Sequence, residues 1–168
     1  QIALNVGDNT ITVLVTAQDG TTTKTYTITV HRKSNVSTLS NMAISIGGLT
    51  PAFNSATTNY TANTFSSSTT VTPTLTHSSA SITVNGSAVT SGNPSSSIAL
   101  NAGANTITVV VTPEDNTQAA TTYTIIVTRI VNNADLSNLS LTAGSIEFET
   151  DTTSYTVNTV YATTTTTV

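Results

Sequence analysis

Cysteine is absent from the chain, which excludes disulfides, thiol catalysis and thiolate metal sites. Tryptophan is absent as well, and aromatic residues make up only 5%, so the usual flat platform for stacking a sugar is missing. Charge is scarce: Asp, Glu, Lys and Arg together reach 7%, against about 25% in an average globular protein. With only four Lys and Arg and a net charge of −4, no basic stripe exists to replace counterions along a phosphate backbone, which argues against nucleic-acid binding. No apolar run approaches the roughly 18 residues of a membrane span. Low charge in a Ser/Thr-rich chain could signal disorder, but 37% of the residues are apolar and they fall in period-two runs. Disordered chains combine low hydrophobicity with high net charge, so the pattern points to folded β structure.

Against these absences stands one repeated stretch. LNAGANTITVVVT at 100–112 restates LNVGDNTITVLVT at 4–16. Each is a glycine turn followed by a strand alternating threonine with aliphatic residues, so one face is apolar and the other carries hydroxyls. Threonine is β-branched and suits a half-wet pleated surface. Further restatements follow: Leu136-Ser-Asn-Leu139 after Leu39-Ser-Asn-Met42, and Tyr155-Thr-Val-Asn158 after Tyr60-Thr-Ala-Asn63. The spacing is 95 to 97 positions. The chain therefore divides into the closing part of one unit at 1–33, a complete unit at 34–130 and the opening part of a third at 131–168.

Within the complete unit, about seven strands are expected from turn spacing and period-two alternation, with no helical periodicity. Asn85-Gly86 marks a two-residue hairpin turn with positive φ at both positions. Pro73 marks an edge or bulge in the strand at 71–75, and Phe53 anchors an irregular crossing at 51–58. Residues 31–37 read as a polar linker. The fold class is all-β: tandem immunoglobulin-like, cadherin-like antiparallel β-sandwich repeats of about 97 residues.

Candidate chemistry is thin. Calcium needs six to eight oxygens with several carboxylates, and the acidic clusters are Glu114-Asp115-Asn116, read as a hairpin turn, and Glu147, Glu149 and Asp151, read as the wet face of a crossing segment. His31 and His77 have no partner nearby in sequence and read as a linker residue and a strand-end residue. No Gly-x-Ser-x-Gly elbow occurs. Lys24 is the lone strand lysine, and Thr121 stands at its counterpart, which argues against a repeat-wide isopeptide crosslink. Asn35, Asn59, Asn85 and Asn138 sit in Asn-x-Ser/Thr triplets that a hydroxyl-rich chain produces by chance. The threonine faces, broken by Leu14 and Val110, read as solvated sheet. No catalytic, cofactor-binding or metal-binding residues are assigned, and the chain is read as non-enzymatic.

Leu39-Ser-Asn-Met42, Phe53 with Tyr60-Thr61, Ile82-Thr-Val-Asn-Gly86, the stretch at 100–111 and Thr122-Tyr-Thr-Ile-Ile-Val-Thr-Arg129 together resemble the cadherin-like β-sandwich domain of bacterial cell-surface proteins. The resemblance implies secreted, modular, structural segments at the cell surface. It does not carry cadherin calcium chemistry, because the junctions at 31–36 and 131–135 lack the acidic motifs. The expected role is a semi-rigid spacer and self-assembly or adhesion element of a surface stalk, fibre or filament. Its expected partners are neighbouring copies of the same repeat, head to tail, either in one covalent array, the favoured form, or by strand exchange. The alternative is a carbohydrate- or protein-binding adhesin module, with surface glycans met by loops such as 91–97. The chain begins at Gln1 without a signal segment and reads as an internal or processed stretch.

Overall fold

The structure, a computed structural model, describes residues 1–142, 144–160 and 165–168. It contains two units, Gln1–Ile130 and Val131–Val168. All regular structure among the described residues is strand. The first two strands form a sheet by themselves: β1 (Gly7–Thr16) pairs antiparallel with β2 (Thr23–Arg32). Then come β3 (Leu39–Ile44), β4 (Asn59–Thr64), β5 (Ser68–Thr69), β6 (Val71–Leu75), β7 (Ser81–Val84), β8 (Ser87–Val89), β9 (Ile98–Ala99), β10 (Gly103–Thr112) and β11 (Thr121–Arg129). The sheet ordered β4-β11-β10-β7-β8 faces the β3–β6 pair, and β5 pairs with β9.

Alternation decides which side chains meet. Ile107, Val109 and Val111 from β10 and Tyr123, Ile125 and Val127 from β11 are 0% exposed. They pack with Leu39, Met42 and Ile44 of β3, Tyr60 and Ala62 of β4, Val71, Ile82, Val84 and Leu100. Thr108 and Thr124, one residue out of phase, are only partly buried. The Tyr123 hydroxyl accepts from the Leu39 N–H and donates to the Ser55 carbonyl, both at 3.1 Å, so the ring's one polar atom is satisfied inside the core.

Turn chemistry follows the sequence. Asn85 and Gly86 have φ of +48° and +81° between β7 and β8, as the two-residue hairpin requires. Pro73 lies on a strand side that a loop covers. Gly92 N–H donates to the Pro73 carbonyl at 2.8 Å, and Ser95 N–H to the Val71 carbonyl at 2.8 Å. The Ser95 and Ser91 hydroxyls accept from the N–H groups of Val71 and Leu75, at 3.1 and 2.9 Å. Proline has no N–H for this loop to satisfy, and the loop supplies acceptors on either side of it.

Three features depart from the sequence reading. The complete unit holds nine strands among the described residues, including the unexpected β5. The β4–β11 pairing is parallel, while every other ladder is antiparallel; it arises because the crossing at 45–58 carries the chain from β3 to the far edge of the opposite sheet. And β10 starts at Gly103, inside the glycine turn that the sequence reading placed before the strand. Asn105 explains the early start: its Oδ1 accepts from Asn101 N–H at 2.8 Å, and its Nδ2 donates to the carbonyls of Asn101, Gly103 and Val127. This holds the turn in which Gly103 has φ of +86°, a conformation glycine adopts without penalty. Asn9 makes the same four bonds around Gly7.

Candidate functional site

Two features stand apart from the closed sandwich: the uncovered sheet β1–β2, and the joint that ties it to the complete unit. The sheet has the register of β10–β11. Ile11 faces Ile28 and Val13 faces Tyr26, as Ile107 faces Ile125 and Val109 faces Tyr123. The solvent exposure differs completely. Val13, Val15, Tyr26 and Ile28 are 45–52% exposed, whereas the matching residues of β10 and β11 are fully buried, covered by β3 and β6 across the core and flanked by β4 and β7 within the sheet. The outer edge of β2 has no partner strand among the described residues.

The joint is shorter than the sequence suggested. Residues 31 and 32 belong to β2, which leaves 33–38 as the linker. Ser34, its second residue, is buried, 1% exposed. Its N–H donates to Glu114 Oε2 at 2.9 Å and its carbonyl accepts from the Asp115 N–H at 2.9 Å. The Glu114 carboxylate also meets His31 Nε2 through Oε1 at 2.7 Å, while His31 Nδ1 lies 2.5 Å from Asp8 Oδ1. The half-exposed imidazole therefore spans the hairpin and the β10–β11 loop, and a doubly protonated ring donates to both carboxylates. Sequence reasoning left His31 without a partner. The Asp8 contact was within its reach, since Asp8 and His31 stand opposite each other in the β1–β2 register; Glu114, 83 positions away, was not.

Electrostatics follow from these contacts. The hydrogen bond to Asp8, and then that to Glu114, raise the His31 pKa above its ordinary 6.5. The Ser34 N–H, and then His31, lower that of Glu114 below its ordinary 4.5. A histidine raised on folding contributes stability that is complete below its ordinary pKa and is lost as pH rises through the raised one; a lowered carboxylate contributes stability that is lost as pH falls through its folded value. The joint should therefore be tightest between these ordinary values. Amide exchange at Ser34, corrected for the intrinsic pH dependence of exchange, should show protection falling on both sides of that window. His31→Gln should remove the alkaline limb and keep the acidic one. Protection that stays flat as pH rises from the window to well above the raised His31 pKa would contradict this.

Among the described residues no group of three His, Cys, Asp or Glu side chains is placed to hold a metal ion. Glu114 serves the joint, and Asp115 caps its own turn by accepting from the N–H and hydroxyl of Thr117, which lowers its pKa. Glu147, Glu149 and Asp151 are exposed beside a half-buried Phe148. In the 91–97 loop, Ser91 and Ser95 are engaged with β6; Ser96 and Ser97, with Asn85, Ser87 and Ile98, line a shallow groove of about 230 Å³. No helix among the described residues is long and apolar enough to cross a membrane.

Residues 148–155 reproduce the local geometry of 53–60 in the complete unit. The Tyr155 hydroxyl donates to the Glu149 carbonyl and accepts from the Glu149 N–H, at 2.7 and 2.9 Å, as Tyr60 does with Asn54 at 2.8 and 3.2 Å. Phe148 stacks on Tyr155 with ring centroids 6.2 Å apart, as Phe53 does on Tyr60 at 6.0 Å.

Compared with known proteins, residues 1–33 and 38–130 match the family model described as the cadherin-like beta sandwich domain. No curated protein matches the chain.

Proposed function

From the premise that this chain belongs to the cadherin-like beta sandwich domain family, we propose that it is a structural, non-enzymatic segment of a bacterial surface stalk, fibre or filament. Family membership suggests an adhesive or structural role in general, and such domains are usually extracellular. The finer reading is that of a tandem repeat acting as a semi-rigid spacer, with neighbouring copies of the same repeat as its partners. The observation that carries it is the clasped linker. A six-residue connection whose second residue, Ser34, is buried and bonded at both its N–H and its carbonyl has little freedom to act as a hinge. Stiffness at each joint is what a spacer needs, and an array of such units behaves as a sum of unit and neighbour terms.

The second reading, an adhesin module for glycans, is favoured by the hydroxyl-lined groove beside 95–98. A glycan array probed with the full chain separates the two. The spacer reading expects no glycan class to bind at micromolar concentration, with 15N relaxation showing β1–β2 and β10–β11 tumbling together. Binding of one glycan class at micromolar Kd or tighter, abolished by filling the groove with Ala88→Trp, would overturn the purely structural reading in favour of the adhesin.

A further inference from the structure

The chain enters and leaves the complete unit at opposite ends of its strands. On the entry side, the Ser37 hydroxyl meets that of Thr121 at 2.8 Å, and the Leu39 N–H donates to the Tyr123 hydroxyl. The linker therefore arrives where β10 ends and β11 begins. On the exit side, Arg129 closes β11 opposite Gly103, the first residue of β10, and the Ile130 N–H donates to the Thr64 carbonyl at 2.8 Å. The nine residues of β11 separate the two ends, roughly 30 Å at the rise of an extended strand. A pull on the two flanking stretches of chain runs along the strands.

Two ladders stand in the way of that pull, and they differ in strength. The first strand after the linker is β3. It is held by β6 alone, through five pairs with a register shift between Leu39 and Asn41. The last strand, β11, is held on both sides, by nine antiparallel pairs to β10 and six parallel pairs to β4. Main-chain bonds of a ladder lie across the strands, so a pull along the axis shears them together instead of opening them one by one.

The clasp at the linker sets which ladder meets the tension first. Ser34 precedes β3, and it is bonded through its N–H to Glu114 Oε2 and through its carbonyl to the Asp115 N–H. His31 Nε2 lies on Glu114 Oε1. A carboxylate that accepts from a main-chain N–H and an imidazolium makes stronger bonds than neutral pairs do. Glu114 follows β10 directly after Pro113. Tension arriving along β2 thus reaches β10 through these bonds before it reaches Leu39, and it leaves through β11.

We propose that the complete unit carries tension along its strands, and that the clasp of His31, Ser34, Glu114 and Asp115 keeps that tension off β3 and places it on the β10–β11 ladder. This rests on the reading of the chain as a spacer and adds a mechanical function to it. While the clasp holds, β10 is drawn toward the entry and β11 toward the exit, and neither slides without breaking the whole ladder. With the clasp gone, the same pull falls on Leu39 and strips β3 from β6.

The absence of cysteine allows handles to be placed in the full-length chain. Thr29→Cys with Asn132→Cys applies force from entry to exit. Ala102→Cys with Asn132→Cys applies it at the end where β10 starts and β11 finishes, and opens the same ladder from that end. Single-molecule pulling at one loading rate, below the ordinary pKa of histidine, reads the force at first extension, a quantity governed by the unfolding rate. The entry-to-exit force should be several-fold the end-opening force. Glu114→Ala should lower the entry-to-exit force, add an early extension as β3 comes away, and leave the end-opening force unchanged. Equal forces in the two geometries overturn the proposal, as does an entry-to-exit force that Glu114→Ala does not lower. A fall by the same factor in both geometries overturns it too, because the substitution then weakens the sandwich and not the path of the force. Glycan binding, which would sink the spacer reading, moves none of these forces, so the two failures are told apart.

Discussion

Tyr123→Ala should lower the unfolding free energy of the sandwich by about 3–5 kcal/mol, the range for deleting a buried aromatic ring. The ring is fully buried, lies 6.3 Å from Phe53 between centroids, and carries a hydroxyl that joins β3 to the crossing segment. Losing it leaves a cavity between the two sheets and strips the Leu39 N–H and the Ser55 carbonyl of their partner. Tyr123→Phe separates the two effects. It keeps the ring and removes the hydroxyl, and should cost about 1–3 kcal/mol, the penalty for leaving buried polar groups unsatisfied. Urea unfolding with linear extrapolation measures both. If Tyr123→Phe cost as much as Tyr123→Ala, the ring's packing would contribute nothing, and the placement of Tyr123 at the centre of the core would be wrong.

How much of this was legible in the sequence depends on how local the cause is. Alternation placed Val109, Ile125 and Tyr123 on the buried face correctly, because a strand's side-chain period is fixed by the backbone. Asn85-Gly86 gave its turn for the same reason: two residues suffice to define it. Asn105 was passed over, although Leu-Asn-x-Gly-x-Asn occurs at both 4–9 and 100–105. The regularity was visible, but the four bonds that the second Asn makes depend on the Val127 carbonyl of the neighbouring strand. His31 shows the same limit. Its position opposite Asp8 follows from the hairpin register, yet Glu114 reaches it only because the linker folds back onto the β10–β11 loop. The parallel β4–β11 ladder was beyond any local signal, since nothing within residues 59–64 records which strand lies beside them.

The correspondence of the two sheets was legible in outline, because the repeat sets Ile28 against Ile125. The structure adds that β1–β2 holds its register uncovered, with the same turn bonds at Asn9, and this leads to the second large effect. Ile125→Ala should destabilise the sandwich by about 2–5 kcal/mol, as for other fully buried Ile-to-Ala changes. Ile28→Ala, the matching change at a site 52% exposed, should cost well under about 1 kcal/mol in dilute, monomeric chain. The two substitutions delete the same atoms from the same position of the same motif, so any difference reports only what covers it. Urea unfolding of both full-length variants, followed at the amide signals of β10 and β11, is therefore the most direct measurement of the account. It expects a large loss for Ile125→Ala and almost none for Ile28→Ala. Equal losses, or a larger one for Ile28→Ala, would contradict the division of this chain into one closed sandwich and one uncovered sheet.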